Sequence, residues 1–308
     1  MSSFRKRSFL LDHIRHTLSF YDPRAVDPTG GFFHCYKNDG TIYDSSTRTL
    51  IASCRFVFNY AKAYSQFGRH EYHAWVQHGL AYLRNVHRDS VSGGYAWRIV
   101  DRRPVDTTNH CYGLAFVLLA YSCALKIGIT EAADWIDETF SLMERHFWLA
   151  EHGLYANEAD SHWTLSDYRG QNDNMHACEA MLAAFEARGD RKFLERATQI
   201  AENITLRQAS LTDDQIWEHF KPDWTPDLDY AKGDNSNNIR PWGIQTGHQT
   251  EWAKLLLILE RHLPADWHLT RAKELFDRAI AFGWDEIQGG LIYGYDLEGN
   301  AYDYDKYF

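Results

Sequence analysis

Apolar residues recur along this chain at helical spacing, in stretches separated by short segments rich in glycine and aromatic residues. The period of i, i+3, i+4, i+7 predicts nine helices. They cover residues 4–20, 44–68, 70–87, 108–126, 130–148, 172–188, 191–206, 247–262 and 267–283. Asp44 or Ser45 is the expected N-cap of the second helix, which ends near Gly68. The intervening segments are TGGFFHCYKNDG (29–40), SGGYAWRIVD (92–101), HGLYANEADSHW (152–163) and QGGLIYGYDLEGN (288–300), with a weaker copy, DQIWEHFKPDW, at 214–224. Their glycines and alternating apolar residues predict short β-hairpins or irregular loops.

Successive copies start roughly 60–75 residues apart, and each interval holds two helices. The two members of a pair differ. Second helices such as RKFLERATQIAENI and TRAKELFDRAI are amphipathic surface helices. First helices are more apolar all round and carry polar residues in their early turns: Arg48 and Arg55, His110 and Tyr112, Asn172 and His176, His248 and Glu251. Such helices fit an inner ring whose N-termini place partial positive charge in a central cavity. The expected fold is therefore all-α, a single (α/α)6 barrel domain over 1–308 with short β-hairpins in its loops. A ring of six pairs needs twelve helices. Nine are found, so the reading expects the chain to be C-terminally incomplete by its last three helices, or roughly 90 residues.

Composition narrows the function. Lys plus Arg number 32 against 42 Asp plus Glu, a net charge of −10, which argues against nucleic acid or an anionic membrane as partner. Cys35, Cys54, Cys111, Cys123 and Cys178 are scattered without a CxxC pair and read as reduced thiols. No signal peptide and no membrane span is recognisable, so a cytoplasmic protein is expected, monomeric or homodimeric. Aromatic residues make up 15% of the chain, a quantity that suits either stacking on sugar faces or a core of large side chains.

Two segments concentrate chemistry. In RPWGIQTGHQTEWAKLLLILE (240–260), His248, Glu251 and Trp252 fall on one helix face. In RGQNDNMHACEAMLAAFE (169–186), Asn172, His176 and Glu179 do the same. The two HxxE pairs admit three readings: general acid–base imidazoles tuned by carboxylates, a four-ligand metal site, or buried structural hydrogen bonds. Arg55 lies inside the apolar stretch ASCRFVFNYA. A buried guanidinium there needs either a protein acid or an oxygen-rich ligand.

Together, RPWGIQTGHQTEWAKLLLILE, QNDNMHACEAMLAAFE and ASCRFVFNYA resemble the N-acylglucosamine 2-epimerase superfamily, most closely its aldose–ketose isomerase branch. The resemblance runs through the whole chain. It implies an (α/α)6 barrel, a monosaccharide substrate of D-mannose type, and neither metal nor other cofactor. Carried over by position, His248 matches the principal catalytic histidine and Glu251 the acid beside it. His176 and Asn172 match a second inner-helix pair. Arg55 and Arg240 match arginines that contact substrate oxygens, and Tyr112 a substrate-contacting tyrosine. Beyond a segment like DKYF the family continues with a helix and a further catalytic histidine, which this sequence does not contain. The implied chemistry is proton transfer by histidine through an enediolate, giving the ketose, or the 2-epimer if the proton returns to C2 from the opposite face. From other classes, a glycoside hydrolase would use two carboxylates among Asp173, Glu179 and Glu251, and a non-catalytic sugar-binding protein would use none.

Overall fold

The computed structural model describes residues 4–234 and 239–306; the expected end at Tyr307 and Phe308 lies outside them. Nine α-helices are present among the described residues: α1 (Arg7–Tyr21), α2 (Leu50–Phe67), α3 (His70–Tyr82), α4 (Cys111–Lys126), α5 (Ala132–His146), α6 (Gln171–Arg188), α7 (Arg191–Glu202), α8 (Thr246–His262) and α9 (His268–Gly283). Every helix expected from the apolar period exists. α3 and α7 end in π-turns, Leu83–His87 and Asn203–Gln208, which account for the longer spans read from sequence.

The start of α2 differs from expectation. Asp44 does not cap it; its carboxylate accepts the backbone N–H groups of Ser46 and Thr47 and closes a turn. The strand Thr47–Thr49 follows, and the Thr49 hydroxyl then accepts from the Ala52 N–H as the real N-cap. α2 and α6 both stop at a glycine in the left-handed region, Gly68 (φ 66°) and Gly189 (φ 72°), where a side chain would be strained.

By its internal contacts the chain forms two units, Met1–Thr108 with Cys123–Thr130 and Asn109–Ser122 with Glu131–Phe308. The first unit holds the α2–α3 pair, with α2 burying Leu50, Cys54, Val57, Tyr60 and Ala61. The second holds α5 to α9 and the start of α4. There α6 is buried along most of its length, whereas α7 buries only one stripe, Phe193, Leu194, Ala197, Ile200 and Ala201.

One backbone arrangement recurs four times among the described residues. A strand of two or three residues leads into a first helix and pairs antiparallel with a strand of the next Gly/aromatic segment but one helix on. Thr47–Thr49 pairs with Arg98–Val100, and Asn109–His110 with Glu158–Ala159. Arg169–Gly170 pairs with His219–Phe220, and Ile244–Gln245 with Gly294–Tyr295. The expected hairpins thus form partly within their own segment, as in Trp148–Leu149 with Leu154–Tyr155, and partly across a whole helix pair. At each junction the first N–H of the helix, an orphan in an isolated helix, finds a carbonyl. Leu50 donates to Trp97, Cys111 to Asn157, Gln171 to Glu218 and Thr246 to Tyr293, at 2.8–3.1 Å.

Counted from these anchors, equivalent side chains align. The third helix residue is Ala52, Gly113, Asp173 or His248. The sixth is Arg55, Phe116, His176 or Glu251. Three of the residues singled out from sequence therefore share one register position.

Candidate active site

His248 is the third residue of α8 and only 6% exposed. Its Nδ1 lies 2.9 and 3.0 Å from the two carboxylate oxygens of Glu218, itself 2% exposed. Burial alone would push the imidazole pKa down; the attraction and hydrogen bond of Glu218, with Glu251 adding, reverse this and raise it. Among the described residues, Nε2 makes no hydrogen bond. The result is a buried imidazole with one nitrogen held by a carboxylate and the other open, the arrangement of a general base.

The sequence reading names Glu251 as the acid beside His248, whereas the carboxylate within hydrogen-bond distance of the imidazole is Glu218. Glu251 stands one turn along α8 and pairs at 3.9 Å with Lys254, acting on His248 through space. The carboxylate on the imidazole is Glu218, thirty positions upstream in the weakest of the Gly/aromatic copies. Its signal was the acidic residue of IWEHF in a segment whose counterparts carry Trp97, Asn157 and Tyr293.

His176, the sixth residue of α6, holds Glu179 Oε2 at 3.2 Å through Nδ1. Burial would raise the Glu179 pKa, but His176 and Lys254, at 3.1 Å from Oε1, bring it down to about 2. Tyr112 presents its ring edge-on to His176, centroids 5.0 Å apart, and Phe116 lies at 4.8 Å. The structure thus brings His176 and Tyr112 together. The two HxxE pairs do not share one ligand set, since His248 is on Glu218 and His176 on Glu179. Among the described residues no three His, Cys, Asp or Glu side chains stand close enough to hold a metal ion.

Asp173 is the third residue of α6. One oxygen accepts the Tyr112 backbone N–H at 3.0 Å, and the other accepts Asn157 Nδ2 at 2.6 Å. Burial raises its pKa to about 6, although the charge of Arg240 and both hydrogen bonds oppose the rise. Both oxygens are engaged, so this carboxylate ties the start of α4 and the Asn157 side chain to α6. Asn172, next to it, carries a buried Oδ1 without a hydrogen-bond partner among the described residues.

Arg240 donates to Glu158 Oε2 at 2.7 Å, and its guanidinium carbon lies over the Tyr168 ring, 3.9 Å from the centroid. His110 Nδ1 is 3.5 Å from the same Glu158 oxygen. Burial works against the Glu158 charge, but Arg240 and His110 together lower its pKa. The Tyr168 hydroxyl meets His219 Nδ1 at 2.9 Å, and His219 Nε2 donates to the Pro241 carbonyl at 2.7 Å. Arg240 is therefore a fixed cation on an aromatic platform. Arg55 departs from expectation: it is exposed on α2 in the first unit, so the argument from a buried guanidinium does not apply. Its assignment to substrate rests on the resemblance alone.

No helix is long and apolar enough to cross a membrane among the described residues. The profile of the family described as N-acylglucosamine 2-epimerase (GlcNAc 2-epimerase) matches residues 31–308. A D-mannose isomerase of Marinomonas mediterranea is 51% identical over 308 residues, covering 99% of this chain and 78% of that protein. A crystal structure of a D-mannose isomerase superposes with a TM-score of 0.98 at 51% identity, covering 100% of this chain and 79% of that chain. The cellobiose 2-epimerase of Spirochaeta thermophila, 19% identical, has a TM-score of 0.80 over 97% of this chain and 76% of its own, a likeness of fold. The fold is thus of the (α/α)6 barrel class.

Proposed function

The chain belongs to the N-acylglucosamine 2-epimerase family, and we propose that it interconverts D-mannose and D-fructose with His248 as proton carrier. It is an isomerase acting between an aldose and its ketose. The observation that carries the mechanism is the buried His248–Glu218 pair, which leaves Nε2 open beside no other protein partner among the described residues. Once the sugar ring is open, the aldehyde acidifies the C2 hydrogen. Nε2 takes that proton, and the C2–H electrons form the enediolate while charge develops on O1. The O2 proton passes to O1, which moves the enediolate charge to O2; returning the carbon-bound proton from the same face to C1 as O2 re-forms a carbonyl at C2 then yields the ketose. An imidazole of near-neutral pKa suits both directions and contributes roughly 10²–10⁴-fold in rate. A fixed guanidinium such as Arg240, together with helix N-termini, is suited to the developing oxyanion. Asn172, with an unpartnered amide oxygen, is suited to a sugar hydroxyl.

The 2-epimerase reading differs only in the return of the proton, and His176 is the imidazole that would supply it. Proton NMR with D-mannose in D2O separates the two. D-Fructose carrying deuterium at C1 is expected; D-glucose deuterated at C2 would replace the isomerase by the epimerase. Full turnover by His248→Ala would remove His248 from the mechanism.

A further inference from the structure

The surroundings of Glu218 decide which nitrogen of His248 can work. Trp252, one turn after His248 on α8, donates its indole N–H to Gln171 Oε1 at 2.7 Å. An indole nitrogen only donates, so this bond sets the orientation of the Gln171 amide. The amide nitrogen is thereby turned inward, 2.9 Å from Glu218 Oε2 and 2.9 Å from His248 Nδ1. It too can only donate; one of its two N–H groups is accepted by the carboxylate, and Nδ1 could accept from the other only by holding its lone pair against both carboxylate oxygens. Gln171 and Trp252 are both 0% exposed, so no bulk water can replace either bond. A lone pair on Nδ1 would then face two carboxylate oxygens and an amide N–H₂ already directed at one of them. A proton on Nδ1 is instead accepted by both oxygens.

We propose that Gln171 and Trp252 are positioning residues of the proton-transfer site. They hold Glu218 as an acceptor and, through it, keep His248 in the Nδ1–H tautomer, so that Nε2 alone gains and loses a proton. The idea rests on the proposed role of His248, but the tautomer can be read without turnover. The backbone supports it: the Gln171 N–H donates to the Glu218 carbonyl at 3.1 Å, so the strand pairing that anchors α6 also delivers both side chains to α8.

The charges acting on His248 are those of Glu218, from the segment before His219, and Glu251 on its own helix. From α6, the residue within hydrogen-bond distance of His248 is the neutral Gln171. Near Glu218, Tyr295 and Tyr302 are kept protonated by burial first, and then by that same carboxylate. The network therefore makes opposite forecasts for two substitutions. Without its amide donor, Glu218 holds the imidazolium more tightly, and the His248 midpoint rises. Without its charge, the midpoint falls.

The test is ¹⁵N NMR of the histidine side chains across pH, on the full chain. The wild type is expected to show Nδ1 protonated throughout and Nε2 titrating. Gln171→Met should raise the midpoint by about half to one pH unit, Trp252→Phe by less, and Glu218→Gln should lower it. The acid limb of kcat/KM should move with each midpoint. A wild-type neutral imidazole carrying its proton on Nε2 overturns the proposal even if no variant folds. So do folded Gln171→Met and Trp252→Phe proteins with unchanged midpoints. If the tautomer is as expected yet His248→Ala turns over normally, the lock stands and the functional reading falls.

Discussion

Asp173 and His248 stand third in α6 and α8, and Asn157 and Glu218 are the residues whose carbonyls receive the first N–H of the preceding first helix, α4 and α6 respectively. The two pairs occupy equivalent backbone positions in successive repeats and meet side chain to side chain, with donor and acceptor exchanged. Asn157 donates to Asp173 at 2.6 Å; His248 donates to Glu218 at 2.9 Å. Yet the first pair is spent on architecture. Asp173 uses its second oxygen on the Tyr112 N–H, and Asn157 uses its carbonyl oxygen on the Gly170 N–H at 2.7 Å. The second pair keeps a nitrogen in reserve. The scaffold dictates that a buried polar pair forms here, and the residue types decide whether it braces a helix or moves a proton.

Five substitutions, one of them made only in a double variant, test that contrast, from the largest effect down. His248→Asn should lower kcat by roughly 10²–10⁴-fold with little loss of stability, measured by steady-state turnover and thermal unfolding. A drop of only a few-fold would place the proton carrier elsewhere. Glu218→Gln should lower kcat by about 10–100-fold, as outer-shell partners of working histidines commonly do. Because Glu218 raises the His248 pKa, its loss lets the neutral base persist further down, and the acid limb of the pH profile shifts to lower pH.

On the architectural pair, Asp173→Asn sets two amide nitrogens against each other and should cost about 1–3 kcal/mol in denaturant unfolding. Adding Asn157→Asp restores the contact between the two side chains with the roles exchanged and keeps acceptors for the Tyr112 and Gly170 N–H groups, losing only the long bond to the Gly170 carbonyl, so the double variant should recover most of the loss. The pH dependence has a definite sign. A carboxyl group raised to about 6 favours the fold below the ordinary value near 4, and that contribution is lost as pH rises through about 6. The penalty of Asp173→Asn relative to wild type should therefore shrink between about pH 4 and pH 6; a penalty that grows would show that Asp173 is ionised in the fold. Smallest of all, Glu251→Gln should change kcat only a few-fold and move the acid limb slightly downward, since Glu251 acts on His248 across space. An effect matching that of Glu218→Gln would return Glu251 to the role read from sequence.

Apolar periodicity is a local property, and the chain alone determined all nine helices, the Gly/aromatic segments between them, and the grouping of His248 with Trp252 and of His176 with Glu179 on single helix faces. Those pairs are three or four residues apart, and helix geometry brings them together whatever the rest of the chain does. Where α2 begins was not legible, because an Asp44 turn and a Thr49 cap use the same residue types. The burial of Arg55 was misjudged because an apolar neighbourhood in sequence does not say which way one helical residue points. Tertiary structure alone decided the partner of His248. Glu218 reaches it because Gly170 pairs with His219 across an intervening helix pair and packs the start of α6 against α8. Such a pairing is set by backbone hydrogen bonds between distant strands, which leave no period in the sequence to read.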